Sequence, residues 1–408
     1  MDPSIPVIAG SALVLLLYLA DILSSRWRLP SVVVLVLLGW MARAALERAG
    51  FPPPPLRPYL PTIGLLGLAL VVLDGALELR WEPGKGTPAL RAAATAVLAL
   101  GSMTALAGAA LRWGEGIPWR SALLDAVPLS IVSSAIAIPS AARLDRADRD
   151  HVAVESSLSD ILGVLLFNAL ATPAPSGMST LLHLGGNAAA TAILSVAVCT
   201  GLLYLMSRTT HKVRFFPLLA ALLLAFSLGK FFHLSSLLLL FVFGLLLAHI
   251  PSLPKGAVRS RLLYPGFPRD LRLLETLVRE TTFVARTFFF FLFGFTLDLS
   301  DLAGPSAWIA GAALLAVVYA TRAGSLALAF GSAPRNLVFL APRGLITILL
   351  AESVPLENRS SWLGGGALLI VILGTSLLQV LAGRKVAESA GVAPLLDHLR
   401  IPGLGRTP

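Results

Sequence analysis

Charge is scarce in this chain of 408 residues: Asp, Glu, Lys and Arg make up only 13% of it, about half the share found in an average soluble protein. That scarcity excludes an ordinary soluble domain, whose surface needs charged cover, and it excludes intrinsic disorder, which needs high charge and few apolar residues. Cysteine is nearly missing. The single Cys199 lies within an apolar segment, so no intrachain disulfide can form and thiols can build no metal cluster. A glycine-rich phosphate loop, catalytic-triad spacing and a His/Cys cluster are also missing, so the chain is not expected to be a soluble-type enzyme or to carry a cofactor. The formal charge of +10 is scattered over connectors and forms no solvated basic face, which argues against a nucleic-acid partner.

What the chain has is apolar length. Apolar residues make up 56% of it, and a hydrocarbon core about 30 Å thick requires roughly 20 of them per helical span. Cut at charged or Pro/Gly-rich connectors, the sequence reads as an all-α polytopic membrane protein with the lipid bilayer as its partner. Thirteen spans are expected, at about 5–23, 30–47, 60–79, 88–111, 121–142, 151–172, 188–207, 213–229, 232–250, 282–299, 304–330, 335–355 and 361–383. The first segment is followed, not preceded, by basic residues, Arg26 and Arg28, the reverse of a secretory signal peptide. With that N-terminus outside, most Lys and Arg fall on the cytoplasmic side, including Arg80, Lys85, Arg91, Arg143, Arg146, Arg149, Arg208 and Lys212, the expected positive-inside bias. The basic, amphipathic connector 259–280 reads as an interfacial helix lying along the inner headgroups.

The spans contain an internal echo. Span 3 closes with Gly75-Ala-Leu-Glu78-Leu and span 10 with Gly294-Phe-Thr-Leu-Asp298-Leu; span 5 is interrupted by Ser133-Ser134 and Pro139, and span 12 by Pro342-Arg343-Gly344. Seven spans separate each pair, so the two halves would be inverted in the membrane. Inverted repeats with matching broken helices are the architecture of secondary transporters, which place the ion site at the midplane where the breaks meet. The expected division is repeat A at 1–172, linking helices at 173–212, repeat B at 213–383 and a short cytoplasmic tail at 384–408.

Ionisable groups inside spans are costly and usually functional. Span 6 carries Glu155-Ser156-Ser157-Leu158-Ser159-Asp160, placing two carboxylates and three hydroxyls in one apolar helix. Asp160 falls about 14 Å beyond the start of that span, near mid-bilayer. Only Arg286, Arg322 and Arg343 offer opposite charge within spans. Arg322 sits at the depth of Glu155, and the two are expected to form a structural ion pair. Asp160 is then left without a fixed cation, able to accept a proton or a small hard cation in turn. Ser156 shares its helix face, Ser159 adjoins it, and Ser133 and Ser134 of span 5 could add hydroxyls while unwinding around 134–139 frees backbone carbonyls. Such an oxygen shell suits sodium or lithium rather than a transition metal. Arg343 could stabilise opposed helix ends or take part in the mechanism. Asp74 and Glu78 read as the wall of a solvated funnel, Arg286 as a snorkelling side chain near the inner boundary, and the phenylalanine run 288–291 as lipid-facing or packing surface.

These motifs resemble the monovalent cation/proton antiporters, which include the sodium/proton exchangers. Glu155-Ser-Ser-Leu-Ser159-Asp160 resembles the family's glutamate followed by its Asn-Asp or Asp-Asp pair. Tyr319-Ala-Thr-Arg322-Ala-Gly324 resembles the span bearing its intramembrane basic residue, and Ala341-Pro342-Arg343-Gly344-Leu-Ile-Thr its second broken helix. The resemblance implies thirteen spans, a homodimer, a mobile core of spans 4–6 and 11–13, elevator-like alternating access, Asp160 as ion carrier (the monovalent-cation ligand), and Glu155–Arg322 as the pair of electroneutral members. Ser159 in place of the residue that normally precedes the aspartate, and Ser133-Ser134 in place of Thr-Asp-Pro, leave sodium, potassium and lithium open. The expected activity is exchange of one monovalent cation for one proton. The alternatives are an organic-anion symporter of related fold, which would need a wide midplane cavity, and a non-transporting membrane sensor, disfavoured because the tail is too short for a signalling module. The lack of long loops points to a bacterial inner membrane, with the C-terminus cytoplasmic.

Overall fold

A computed structural model describes residues 4–26, 29–78, 86–142, 144–171, 178–208, 226–229, 236–252, 266–298 and 304–389, with isolated positions 220, 224, 231 and 302. Among these residues the chain is helical, without strands. Fourteen α-helices run in order: α1 Ser4–Arg26, α2 Ser31–Arg48, α3 Leu60–Glu78, α4 Gly86–Glu115, α5 Trp119–Ser130, α6 Ser134–Ala141, α7 Arg146–Ala171, α8 Met178–Arg208, α9 Ser236–His249, α10 Phe267–Thr296, α11 Pro305–Phe330, α12 Arg335–Val338, α13 Leu345–Ser353 and α14 Gly365–Ser389. With α5 and α6, and α12 and α13, each paired across its interruption, the described helices coincide with twelve of the thirteen segments that the sequence marks as spans. The eighth, 213–229, lies for the most part outside the described residues, as do 172–177 and the tail beyond 389.

Several helices are long and apolar enough to cross a membrane, among them the runs Arg57–Glu78, Thr87–Glu115, Trp119–Ala141, Arg146–Ala171 and Pro305–Phe330. Their packing falls into two sets. Helix α4 packs on α5, α7 and α11, α7 on α5 and α6, and α11 on α14; separately, α10 packs on α2 and α3, α3 on α9, and α9 on α8. Within the second set, α2 and α10 touch backbone to backbone. A Cβ on Gly39 would fall 2.0 Å from the Phe291 carbonyl oxygen, and one on Gly294 2.1 Å from that of Val36, so only glycine permits the crossing at either point.

One expectation is corrected here. The connector 259–280 does not end in a separate interfacial helix: from Phe267 it is the first half of the 30-residue α10. No Pro or Gly interrupts residues 269–293, so nothing stops the helix at the membrane boundary. Leu271, Leu274 and Val278 continue its buried stripe against Leu73, Leu77 and Phe243. Of the two readings open for the phenylalanine run, packing surface is the one the structure supports, since Phe289 and Phe290 are fully buried and Phe289 stacks on Phe293 at 6.5 Å.

Candidate functional site

Two interrupted helices meet in the middle of the bundle. The first gap, 131–133, separates α5 from α6, and the second, 339–344, separates α12 from α13. They touch through the Ser133 amide, which donates to the Pro342 carbonyl at 3.0 Å. Glycines make the approach possible. A Cβ on Gly344 would sit 2.7 Å from Ile136 and 2.8 Å from Ser133 Oγ, and one on Gly163 of α7 would sit 2.3 Å from Ile131.

The first break lies earlier than the sequence suggested, and Pro139 does not form it: it sits inside α6, whose first residue is Ser134. Proline is tolerated there because α6 is short and its one lost bond, to the carbonyl of Ala135, is replaced from outside. The outside donor is Arg286, whose Nη1 reaches Ala135 O at 2.7 Å. Arg286 therefore does not snorkel. Pro342, Arg343 and Gly344 do lie in the second break.

Asp160 is the fifteenth residue of α7, about 21 Å along a helix of about 39 Å, and is 2% exposed. The start of α6 closes on it. The Ser134 amide donates to Asp160 Oδ2 at 3.2 Å and the Ser134 hydroxyl donates to the same oxygen, so the positive end of a half-helix faces the carboxylate. Oδ1 has no hydrogen-bond partner. Beside it lies a cavity of about 10 Å³ lined by Val71, Gly75, Ser134, Ser157, Asp160 and Phe241, among others. That is room for about one water-sized sphere.

The hydroxyls singled out from the sequence have separate partners. Ser134 reaches Asp160. Ser159 Oγ instead accepts the Val132 amide at 3.0 Å, holding the open backbone of the break, and Ser156 Oγ donates to the Val152 carbonyl of its own helix at 2.7 Å, the usual outlet for serine in an apolar helix. Ser133 Oγ is buried without a partner. Ser157, which the sequence pattern did not single out, lines the cavity with Asp160; its position three residues before the aspartate, on the same helix face, is the signal that could have found it. The break turns a donor, not its carbonyls, toward the carboxylate. The carbonyls freed nearby are taken by Arg343, which donates from Nε to Leu129 O at 2.6 Å and from Nη1 to Ala341 O at 3.1 Å.

Nearer the start of α7, five residues before Asp160, Glu155 meets Arg322 of α11. Arg322 donates from Nη1 to Oε1 and from Nη2 to Oε2, the latter at 2.9 Å, a bidentate pair with both residues at most 2% exposed. Its remaining donors reach Leu337 O at 3.1 Å and Leu340 O at 3.3 Å, so one guanidinium neutralises the glutamate and caps the carbonyl end of α12. His151 Nε2 lies 3.3 Å from Glu155 Oε2. Among the described residues Asp160 has no such cationic partner, and no cluster of three or more His, Cys, Asp or Glu side chains could hold a metal ion. A larger opening of about 320 Å³, lined by Asp74, Leu77, Glu78, Glu275 and Arg279, lies at the C-terminal end of α3. The smaller cavity shares that helix one turn earlier, where Gly75 faces Ser157.

Crossed helix breaks around a buried carboxylate, inside an all-helical apolar bundle, define an integral membrane transporter. The chain belongs to the sodium/hydrogen exchanger family: the family model for the transmembrane sodium/hydrogen exchanger matches residues 11–387. It is accordingly a transporter of the cation/proton exchange class. Its fold is similar to that of the sodium proton antiporter MjNhaP1 from Methanocaldococcus jannaschii at pH 8, with a TM-score of 0.69 at 16% identity over 96% of this chain and 98% of that one. It is similar as well to an electron-microscopy structure of the same antiporter, with a TM-score of 0.67 at 15% identity over 95% and 96% of the two chains. No curated protein matches it in sequence.

Proposed function

We propose that the chain exchanges one monovalent cation for one proton by competition at Asp160. The observation that carries this reading is the contrast between two buried carboxylates on one helix. Glu155 is neutralised by a bidentate arginine, while Asp160 keeps one oxygen on Ser134 and the other, Oδ1, without a partner beside the cavity. A proton on Oδ1 leaves a neutral site. A monovalent cation held by Oδ1, with Ser157 and Ser134 turning their hydroxyl oxygens toward it, leaves a neutral site as well. Both legs of the cycle then move no net charge, which makes the exchange electroneutral. Sodium, lithium and potassium all satisfy the charge requirement; hard oxygen ligands favour the smaller ions.

The two packed sets of helices supply the motion. In this reading α4–α7 and α11–α14, which correspond to spans 4–6 and 11–13, form the transporting core, and α1–α3 with α8–α10 form the scaffold and the face of a homodimer. The halves 1–172 and 213–383 are the inverted repeats. The opening at Asp74 and Glu78 is the cytoplasmic funnel, with the N-terminus outside and the protein in a bacterial inner membrane. The cavity at Asp160 argues against an organic-anion symporter, since about 10 Å³ admits an ion or a water and no larger solute.

Proteoliposomes loaded with a pH-sensitive dye test the site. Cation gradients should drive proton flux in the wild type, and Asp160→Asn should abolish it while the protein still folds and inserts. Cation-dependent proton flux surviving in that variant overturns the assignment.

A further inference from the structure

Arg286 has no part in the chemistry proposed above, yet it reaches from one set of helices into the other. Pro139 is the sixth residue of α6 and has no N–H, which leaves the carbonyl four residues earlier, that of Ala135, without a partner in its own helix. Arg286 of α10 donates to that carbonyl at 2.7 Å. Ala135 directly follows Ser134, whose amide and hydroxyl hold Asp160. The guanidinium also lies over the Phe283 ring at 6.0 Å.

Neighbouring contacts between the two sets are of a different kind. Gly64 of α3 lies against the Leu349 side chain, and Gly67 against Leu345. Such smooth apolar contacts have no preferred direction and survive sliding. A charge-assisted hydrogen bond does not: it is short and directional, and displacement by a single helical turn, about 5 Å, takes it far beyond bonding distance.

We propose that Arg286 is a latch, a positioning residue whose bond to the Ala135 carbonyl favours the conformation in which Asp160 faces the funnel at Asp74 and Glu78. Pro139 makes the latch possible by leaving its acceptor free. The proposal rests on the exchange reading, since it requires that α6 move against α10 during transport. Losing the latch lowers the population of the funnel-facing state. Because a ligand's apparent affinity falls with the fraction of the competent state, the half-saturation constant for the cation should rise on the funnel side and fall on the opposite side.

The test measures sodium-driven proton flux in membrane vesicles of both orientations, giving a half-saturation constant on each face. Arg286→Met removes the donor with little change of volume. It should retain exchange, with the ratio of funnel-side to far-side constants raised threefold or more. Pro139→Ala approaches from the other partner by giving α6 its own donor for Ala135. It should shift the ratio in the same direction, and it decides the matter if Arg286→Met does not insert. The double variant should go no further than the larger single change, because both remove one bond. Exchange with an unchanged ratio, or a ratio shifted the opposite way, overturns the latch while leaving exchange standing. Absence of cation-driven flux in the wild type instead overturns the exchange reading beneath it.

Discussion

At the scale of single residues, the three arginines that the sequence puts inside spans behave alike, each donating to carbonyls that a helix interruption or a proline has released. Arg322 takes Leu337 and Leu340, Arg343 takes Leu129 and Ala341, and Arg286 takes Ala135. In a hydrocarbon core such carbonyls have no water to turn to. Arg322 alone among the three also pairs with Glu155, so removing either member of that pair strands a buried charge. Glu155→Leu or Arg322→Leu should each lose about 3–5 kcal/mol of stability, and the double variant should lose clearly less than the sum. Melting temperatures in detergent check this cycle, and additive losses would contradict the pairing. Competition at Asp160 has its own signature. Acidifying the side from which the cation binds should, over the pH range in which Asp160 is mostly protonated, raise the half-saturation constant for the cation about tenfold per pH unit, with the maximal rate unchanged, as mass action between two ligands for one site requires. A fall in maximal rate at constant half-saturation would mean that proton and cation bind at different places.

At the scale of elements, glycines decide which helices come close. Gly294 and Gly39 let α2 and α10 share a surface with no side chain between them. Gly294→Ala should cost about 1–3 kcal/mol, because its new methyl meets backbone that cannot turn aside. Gly101→Ala in α4, where nothing lies within 4 Å, should be neutral or add up to about 1 kcal/mol from helix propensity. Thermal unfolding of the two variants side by side separates steric from propensity effects; equal shifts would contradict the close crossing. The breaks are legible in the sequence as places but not in register. Ser133, Ser134 and Pro139 announce an interruption in span 5, yet the helix opens at 131–133 and resumes through the proline. A donor from α10 makes that proline acceptable, and no local pattern in span 5 contains information about α10.

At the scale of the whole molecule, charge counting gives the clearest expectation. If the site is neutral with either ligand bound, flux through reconstituted protein at fixed ion gradients should not respond to an imposed membrane potential, and a current that scales with potential would refute electroneutral exchange. The division into two packed sets joined across glycine-lined contacts is the arrangement that the proposed alternating access needs. The helices themselves can be read from the sequence because bilayer thickness imposes their length and lack of charge. The connector 259–280 defeats such a reading for a complementary reason: its amphipathic pattern fits a helix on the headgroups as well as a helix packed against α3 and α9, and only the packing of Leu271, Leu274 and Val278 distinguishes the two.

The sequence alone determined that this chain is a helical membrane bundle, that Glu155, Asp160 and Arg322 lie within it, and that two of its helices are interrupted. These follow from the energetics of burial, which acts on residue type and is therefore written along the chain. The tertiary structure alone decided which polar group meets which oxygen: the Ser134 hydroxyl at the carboxylate, Ser156 and Ser159 on backbone, Arg286 across the interface, with Ser157 only lining the cavity beside Asp160. Hydrogen bonds are short and directional, so their partners are fixed by how helices distant in sequence are rotated against one another.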